Sequence, residues 1–273
     1  MNYRHAYHAG NFADVLKHIA LVAVLLHLRK KDAPFAVIDT HAGRGFYNLA
    51  GDEAEKTSEA VSGVLKLKPD TAAPAVYSAY LDIARNAGEN CYPGSPLIAA
   101  YLLRPQDRLL AIEKHEEEFA ALSGALKPFA KARAICADGY ERLNALLPPP
   151  ERRGVVLIDP PYEAPDEFAH ASRALAAAHR RFATGIYLLW YPVKSKTDAD
   201  ALCGEAKAAG VTKALRMELD IGASSERPEG LHAAGLLAVN PPYQFDIEMD
   251  AVLKLLVAQL GRNASASARI DWL

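Results

Sequence analysis

The chain has 273 residues, 51% of them apolar, and a formal net charge of −2, so it can bury a substantial core as one domain or as one domain carrying an insertion. Its three cysteines, Cys91, Cys136 and Cys203, show no CxxC spacing, which argues against a disulfide framework and a zinc site and favours a reducing compartment. The opening "MNYRHAYHAGN" lacks an apolar signal-peptide core, and the longest apolar run, Ile19 to Leu26, is far shorter than the roughly 20 residues that span a bilayer. The expectation is a soluble, cytoplasmic protein without a membrane partner.

Near-neutral charge gives no general support for a nucleic-acid partner. The first 31 residues differ: Arg4, Lys17, Arg29, Lys30 and Lys31 face Asp14 alone, a local hint of phosphate contact. Asn11 is placed to cap a helix through "FADVLKHIALVAVLLHLRKK", whose basic end suits the helix dipole. A strand from Phe35 to Asp39 enters the glycine turn "DTHAGRGF". Residues 47–93 read as a small helical insertion, after which a helix begins at Ser95, with serine as cap and proline next. Then "RLLAIEKH", "ARAICADGY", "GVVLIDPPY" and "GIYLLWYPV" read as strands separated by helices. "VTKALRMELD" and "GLLAVNPPY" close the series as a hairpin, and "GRNASASAR" reads as a loose connection. This alternation predicts a doubly wound α/β fold: a seven-stranded, mostly parallel sheet whose last strand is antiparallel, the pattern of a Rossmann-like class I S-adenosylmethionine-dependent methyltransferase.

The turn holds Gly43 and Gly45, which let backbone approach a ligand, but Asn48 breaks the G-x-G-x-x-G dinucleotide fingerprint. The acid that would hold a ribose ends the next predicted strand, at Glu113. With Asp138 and Gly139 ending the third strand, three successive strand ends describe an adenosyl pocket. His41 lies inside the turn, where spacing leaves open a cofactor contact or a histidine satisfied locally.

"LIDPPY" ends a strand in an acid, two prolines and an aromatic ring. An exocyclic adenine amine is a poor nucleophile until two acceptors take its N–H groups and turn its lone pair outward. Asp159 supplies a carboxylate for this, Pro160 a rigidly held carbonyl, and Tyr162 a flat face for an unstacked base. The same pattern recurs as Asn240 to Tyr243, but an antiparallel final strand would release it on the opposite side, so it reads as a structural exit. Lys194 and Lys196, after the fifth strand, are further candidates for phosphate contact. Spacing leaves Lys17 and His18 either facing a ligand or marking the solvent side of their helix. No cluster has metal-ligand spacing, so no metal is expected.

The segments "YRHAYHAGNFADVLKH", "DTHAGRG", "YPGSPLIA", "ADG", "LIDPPYE" and "RFATGIYLLWYPV" together resemble the RlmJ family, whose members methylate the 6-amino group of an adenine in 23S ribosomal RNA. The resemblance spans essentially the whole chain. It implies S-adenosylmethionine contacts at His18, His41, Ser95, Glu113, Asp138, Gly139 and Asp159, with Asp159 also the catalytic acceptor. It also implies that Tyr3 and Lys17 reach the RNA, and that the protein acts as a monomer on 23S RNA before full subunit assembly. Two rivals are a protein-glutamine methyltransferase working through Asn240 and an RNA-binding module that keeps the fold without catalysis.

Overall fold

The computed structural model describes residues 8–51, 59–225 and 229–273; Tyr3 and Arg4 lie outside them. Helix α1 (Phe12–Arg29) starts at Asn11, whose side-chain oxygen accepts the N–H groups of Ala13 and Asp14 at 3.0 and 2.9 Å. Its aliphatic residues are buried nearly all round, because α1 is clamped between the sheet and three other helices. Strand β1 (Ala36–Asp39) follows. Next come β2 (Phe46–Asn48), two single 3-10 turns (Ala60–Ser62 and Val64–Lys66), α2 (Ala75–Asn86) and β3 (Cys91–Pro93). Strands β2 and β3 pair antiparallel, so this segment leaves and re-enters the fold through a two-stranded base.

The winding continues as α3 (Ser95–Leu102), β4 (Arg108–Glu113), α4 (Glu116–Leu126), β5 (Ala132–Cys136), α5 (Gly139–Leu146), β6 (Gly154–Ile158), α6 (Glu167–Arg181), β7 (Ile186–Pro192) and α7 (Lys196–Ala208). It ends with β8 (Ala214–Asp220), β9 (Ala233–Val239), α8 (Phe245–Leu260) and β10 (Ser267–Trp272). The sheet has eight strands in the order β10-β8-β9-β7-β6-β1-β4-β5. Strands β1, β4, β5, β6 and β7 are parallel, while β9 runs antiparallel to both of its neighbours.

Alternate residues along each strand feed two cores, as a two-residue period requires. Val37, Val155, Leu157 and Leu188 pack under α1, α2, α3, α4 and α8, whereas Ile38, Val156, Ile158 and Leu189 pack under α5, α6 and α7. This makes a three-layer α/β/α sandwich whose central strands are buried on both faces.

The eighth strand was not legible as one. "GRNASASAR" is polar, but its turn is held by Asn263, which accepts from the Ser265 N–H and donates to the Ala223 carbonyl. From Ser267 the chain then pairs with β8. Polarity there reflects an outer strand with exposed side chains rather than a loose connection. Ser95 begins α3 as expected, yet the cap position belongs to Gly94, and the serine hydroxyl is used elsewhere. Among the described residues no helix is long and apolar enough to cross a membrane.

Candidate active site

Strand β1 sits between β4 and β6, so the winding reverses direction at β1 and opens a crevice beyond the strands' carboxyl ends. A cavity of about 290 Å³ fills that crevice. Of the expected cofactor and substrate residues, His18, His41, Gly43, Ser95, Glu113, Asp138, Gly139, Asp159 and Lys17 all face it. They come from α1, from four different strand ends and from the start of α3 and α5.

Glu113 joins two walls. One carboxylate oxygen accepts the Gly43 N–H at 2.9 Å and the other the His115 N–H at 2.8 Å, which pins the glycine turn over the end of β4. Gly43 has φ +59, a conformation that an L side chain rarely adopts. Asp138 caps α5 by accepting from the N–H groups of Tyr140 and Glu141, and it takes the Lys114 ammonium at 3.0 Å on its other oxygen. Despite partial burial, these donors hold its carboxyl below the usual 3.8. Gly139 is demanded by packing, since a Cβ there would lie 2.0 Å from the Thr40 carbonyl oxygen.

Lys17 and His18 do not mark a solvent face; they are 3% and 1% exposed. The Lys17 ammonium bonds the Asp14 carboxylate at 2.7 Å and also bonds Asp159. Burial works against this ammonium, but the two carboxylates outweigh it and raise its pKa above the ordinary 10.5. Lys17 therefore holds the acid of the Asp-Pro-Pro corner instead of standing free. Pro160 is buried, and its neighbour Pro161 forms the wall.

Tyr162 does not line the cavity. Its ring packs on Phe168 and Trp190 with centroids 4.6 and 5.6 Å away, and its hydroxyl donates to the Trp190 carbonyl at 2.8 Å. The expected open stacking face is thus reduced, because most of the ring is spent bracing the corner. Lys194 is exposed in the turn after β7, on the cavity side of the sheet but outside the lining. Tyr3 lies outside the described residues.

Several groups of the site were not foreseen. Asp14, just behind the lining, shares a stripe of the otherwise apolar α1 with the expected Lys17 and His18, a polar i, i+3, i+4 pattern that could have pointed to it. Tyr140 stacks on His170 at 4.2 Å, meets His41 edge-on at 4.9 Å, and donates to Glu167 at 2.8 Å. Burial lowers the His41 pKa to about 4, so its ring is neutral at neutral pH.

Asp39 is 1% exposed and accepts the Ser95 hydroxyl at 2.6 Å. Burial, partly offset by that hydroxyl, pushes its carboxyl from 3.8 up to about 7. The folded chain thus retains a proton that the unfolded chain releases. Its contribution to stability is present at low pH and is lost as pH rises from about 4 through about 7. His41 acts oppositely: its contribution is lost as pH falls from 6.5 towards about 4. Thermal melts of Asp39→Asn should therefore show a smaller decline across the Asp39 window than the parent. Identical slopes would contradict the assignment.

Carboxylates accept only, and five of them line the cavity (Glu113, Glu118, Asp138, Asp159 and Glu167), an acceptor-rich wall suited to the hydroxyls, ring amine and ammonium of S-adenosylmethionine. Winding order, glycine turn and acid set together define a class I S-adenosylmethionine-dependent methyltransferase fold.

Comparison narrows the class. The family described as ribosomal RNA large subunit methyltransferase D, RlmJ, matches residues 32–273, and the chain belongs to that family. It is 38% identical over 277 residues to ribosomal RNA large subunit methyltransferase J of Escherichia coli (strain K12), covering 100% of this chain and 99% of that one. The Haemophilus influenzae protein of the same name is 37% identical, with 100% and 99% covered. The crystal structure of protein LPL1258 from Legionella pneumophila superposes with a TM-score of 0.86 at 36% identity, covering 97% and 98% of the two chains. A structure described as a probable spermidine synthase from Corynebacterium glutamicum, 12% identical with a TM-score of 0.53 and covering 96% of this chain and 75% of that one, shares the fold alone.

Proposed function

We propose that this protein methylates the 6-amino group of an adenine in 23S ribosomal RNA. The observation that carries the reading is Asp159, fixed by Lys17 at the cavity wall, with a rigid Pro160-Pro161 corner directly after it. S-adenosylmethionine, held by Glu113, Asp138 and the Gly43 and Gly139 backbone, supplies an activated methyl group. Asp159 and the Pro160 carbonyl accept the two N–H groups of the target amine and so free its lone pair. Asp159 is then placed to take the proton that the methylated nitrogen sheds. Tyr162 keeps the corner stiff, and the part of its ring left open meets the base edge.

A paired adenine uses its amine, so the base enters unpaired or flipped. This favours RNA not yet locked into a finished subunit, met by a monomer. Lys194 supplies a nearby phosphate contact, and the family resemblance adds Tyr3 as an RNA contact.

The test is transfer of labelled methyl groups to total RNA from cells lacking the enzyme, followed by nucleoside analysis. Label is expected in N6-methyladenosine; label in protein or on cytosine would refute the reading. If the chain were only an RNA-binding module, S-adenosylmethionine would show no binding in titration.

The glutamine rival fails on topology. Strand β9 is antiparallel, and the Asn240 amide donates to the Ala183 and Gly185 carbonyls at 2.9 and 2.8 Å, at the entry to β7. Asn240 has φ +51, which asparagine tolerates better than alanine. Asn240→Ala should lower stability by about 1–3 kcal/mol in urea unfolding while leaving methyl transfer unchanged. Lost transfer in a folded variant would favour the rival.

A further inference from the structure

Tyr162 braces its corner and offers a base only part of its ring. A second flat group stands in the cavity wall. His170, at the end of the first turn of α6, belongs to the lining and is exposed. One face of its imidazole lies on Tyr140, with centroids 4.2 Å apart and the planes 20° from parallel. What it shows to solvent is therefore its other face and its edge. Tyr140 is itself held: its hydroxyl donates to Glu167 at 2.8 Å, and its ring meets His41 edge-on at 4.9 Å. Glu167 is 9% exposed and sits one turn before His170, so this bond ties the first turn of α5 to the first turn of α6. The imidazole is thus backed by a fixed ring.

The helix continues the pattern outward. Ala171, Ser172, Leu175, Ala176 and Ala178 are buried, and residues 170, 173, 177 and 180 recur along the opposite stripe. That stripe carries exposed His170, Arg173 and Arg180, with half-buried Ala177 between the arginines. Glu167 is the only acid in α6, and it is taken up by Tyr140; Glu163 and Asp166 precede the helix. Among the described residues neither the Arg173 nor the Arg180 side chain has a carboxylate or carbonyl partner, whereas Arg181, one stripe over, donates to the Leu147 carbonyl at 3.3 Å. At a rise of about 1.5 Å per residue, Arg173 lies about 4.5 Å and Arg180 about 15 Å along the axis from His170. Those spans match one to a few nucleotides of a strand that rises about 3.4 Å per nucleotide. A basic stripe alone is ordinary solvation; the ring at its head, built into the cavity wall, joins it to the site.

We propose that the His170, Arg173 and Arg180 stripe of α6 carries unpaired RNA away from the cavity, with a nucleobase neighbouring the target stacked on the open face of His170 and phosphates on the two arginines. The proposal rests on the reading that the cavity receives an RNA base. S-adenosylmethionine has no phosphate for the arginines to meet, so the charge pattern favours a polynucleotide over the cofactor's own adenine. Stacking and phosphate contacts tolerate any sequence, so the stripe supplies grip and leaves the choice of adenine to other contacts.

The test is filter binding of 23S ribosomal RNA to the full-length chain over a series of salt concentrations, with methyl transfer measured alongside. His170→Ala should weaken RNA binding about tenfold, the scale of one lost base stack, and the loss should fall on the KM for RNA rather than on kcat. His170→Phe keeps a flat ring and should stay near the parent. The S-adenosylmethionine affinity of His170→Ala, titrated without RNA, should match the parent. Arg173→Ala and Arg180→Ala should each reduce the slope of log affinity against log salt by about 0.7, the share of one phosphate in a single strand. Parent-like RNA binding in a folded His170→Ala, parent slopes in both arginine variants, or a loss confined to S-adenosylmethionine overturns the proposal, as does a parent chain that binds no RNA. A parent that binds RNA with these dependences but labels protein or cytosine would instead refute the functional reading and leave the RNA path standing.

Discussion

Asp159→Asn should lower methyl transfer at saturating S-adenosylmethionine by about a hundredfold to a thousandfold, the usual effect of removing one preorganised electrostatic partner from a reacting centre. The amide keeps a single acceptor oxygen and turns N–H groups towards an amine that needs acceptors. It also gives Lys17 a neutral partner, so a thermal melt must accompany the kinetics. Single-turnover assays with saturating RNA separate the chemical effect from binding. A folded Asp159→Asn that retained half the parent rate would remove Asp159 from the reaction.

Lys17→Met is expected to be the most damaging substitution for stability. Its ammonium is buried between Asp14 and Asp159, whose side chains are 2% and 13% exposed. Removing one partner of a buried ion pair leaves uncompensated charge and costs about 3–5 kcal/mol. Urea unfolding of Lys17→Met should show this loss at neutral pH and a smaller one in mild acid, where the orphaned carboxylates take up protons more readily. If instead the loss grew in acid, the cluster would not be held together by charge. Adding Asp14→Asn to Lys17→Met should lower stability by less than the sum of the separate effects, because both act on one network.

How far this site was legible depended on whether a residue's role was written locally. Asp159 followed by two prolines announces a rigid exit from a buried strand, and Glu113 and Asp138 end strands whose apolar runs are plain. The glycine turn likewise carries its own signal, since only glycine adopts φ +59 and +79 at positions 43 and 45 without strain. Asn11 could be read as a cap because capping involves neighbours two and three residues on.

Long-range partnerships were not legible. Lys17 meets Asp159 across 142 positions of sequence, and Ser95 meets Asp39 across 56. Nothing near Lys17 announces the first pairing, and Ser95 looked like a cap because serine usually is one there. The burial of the Tyr162 ring could not be foreseen either, since it depends on Trp190 from the next strand. Strand β10 was hidden because an outer strand need not carry the apolar run that marks an inner one.

The placement of α1 has a consequence for how the molecule comes into being. This helix of 18 residues comes before the whole winding in sequence, yet it packs against β9 and α8, which come after most of it. A growing chain therefore carries this apolar helix past the whole winding before the surfaces of β9 and α8 exist for it to rest on. The ion pairs that arm the acceptor corner are made by a side chain of this helix, so the corner is complete only once α1 has docked.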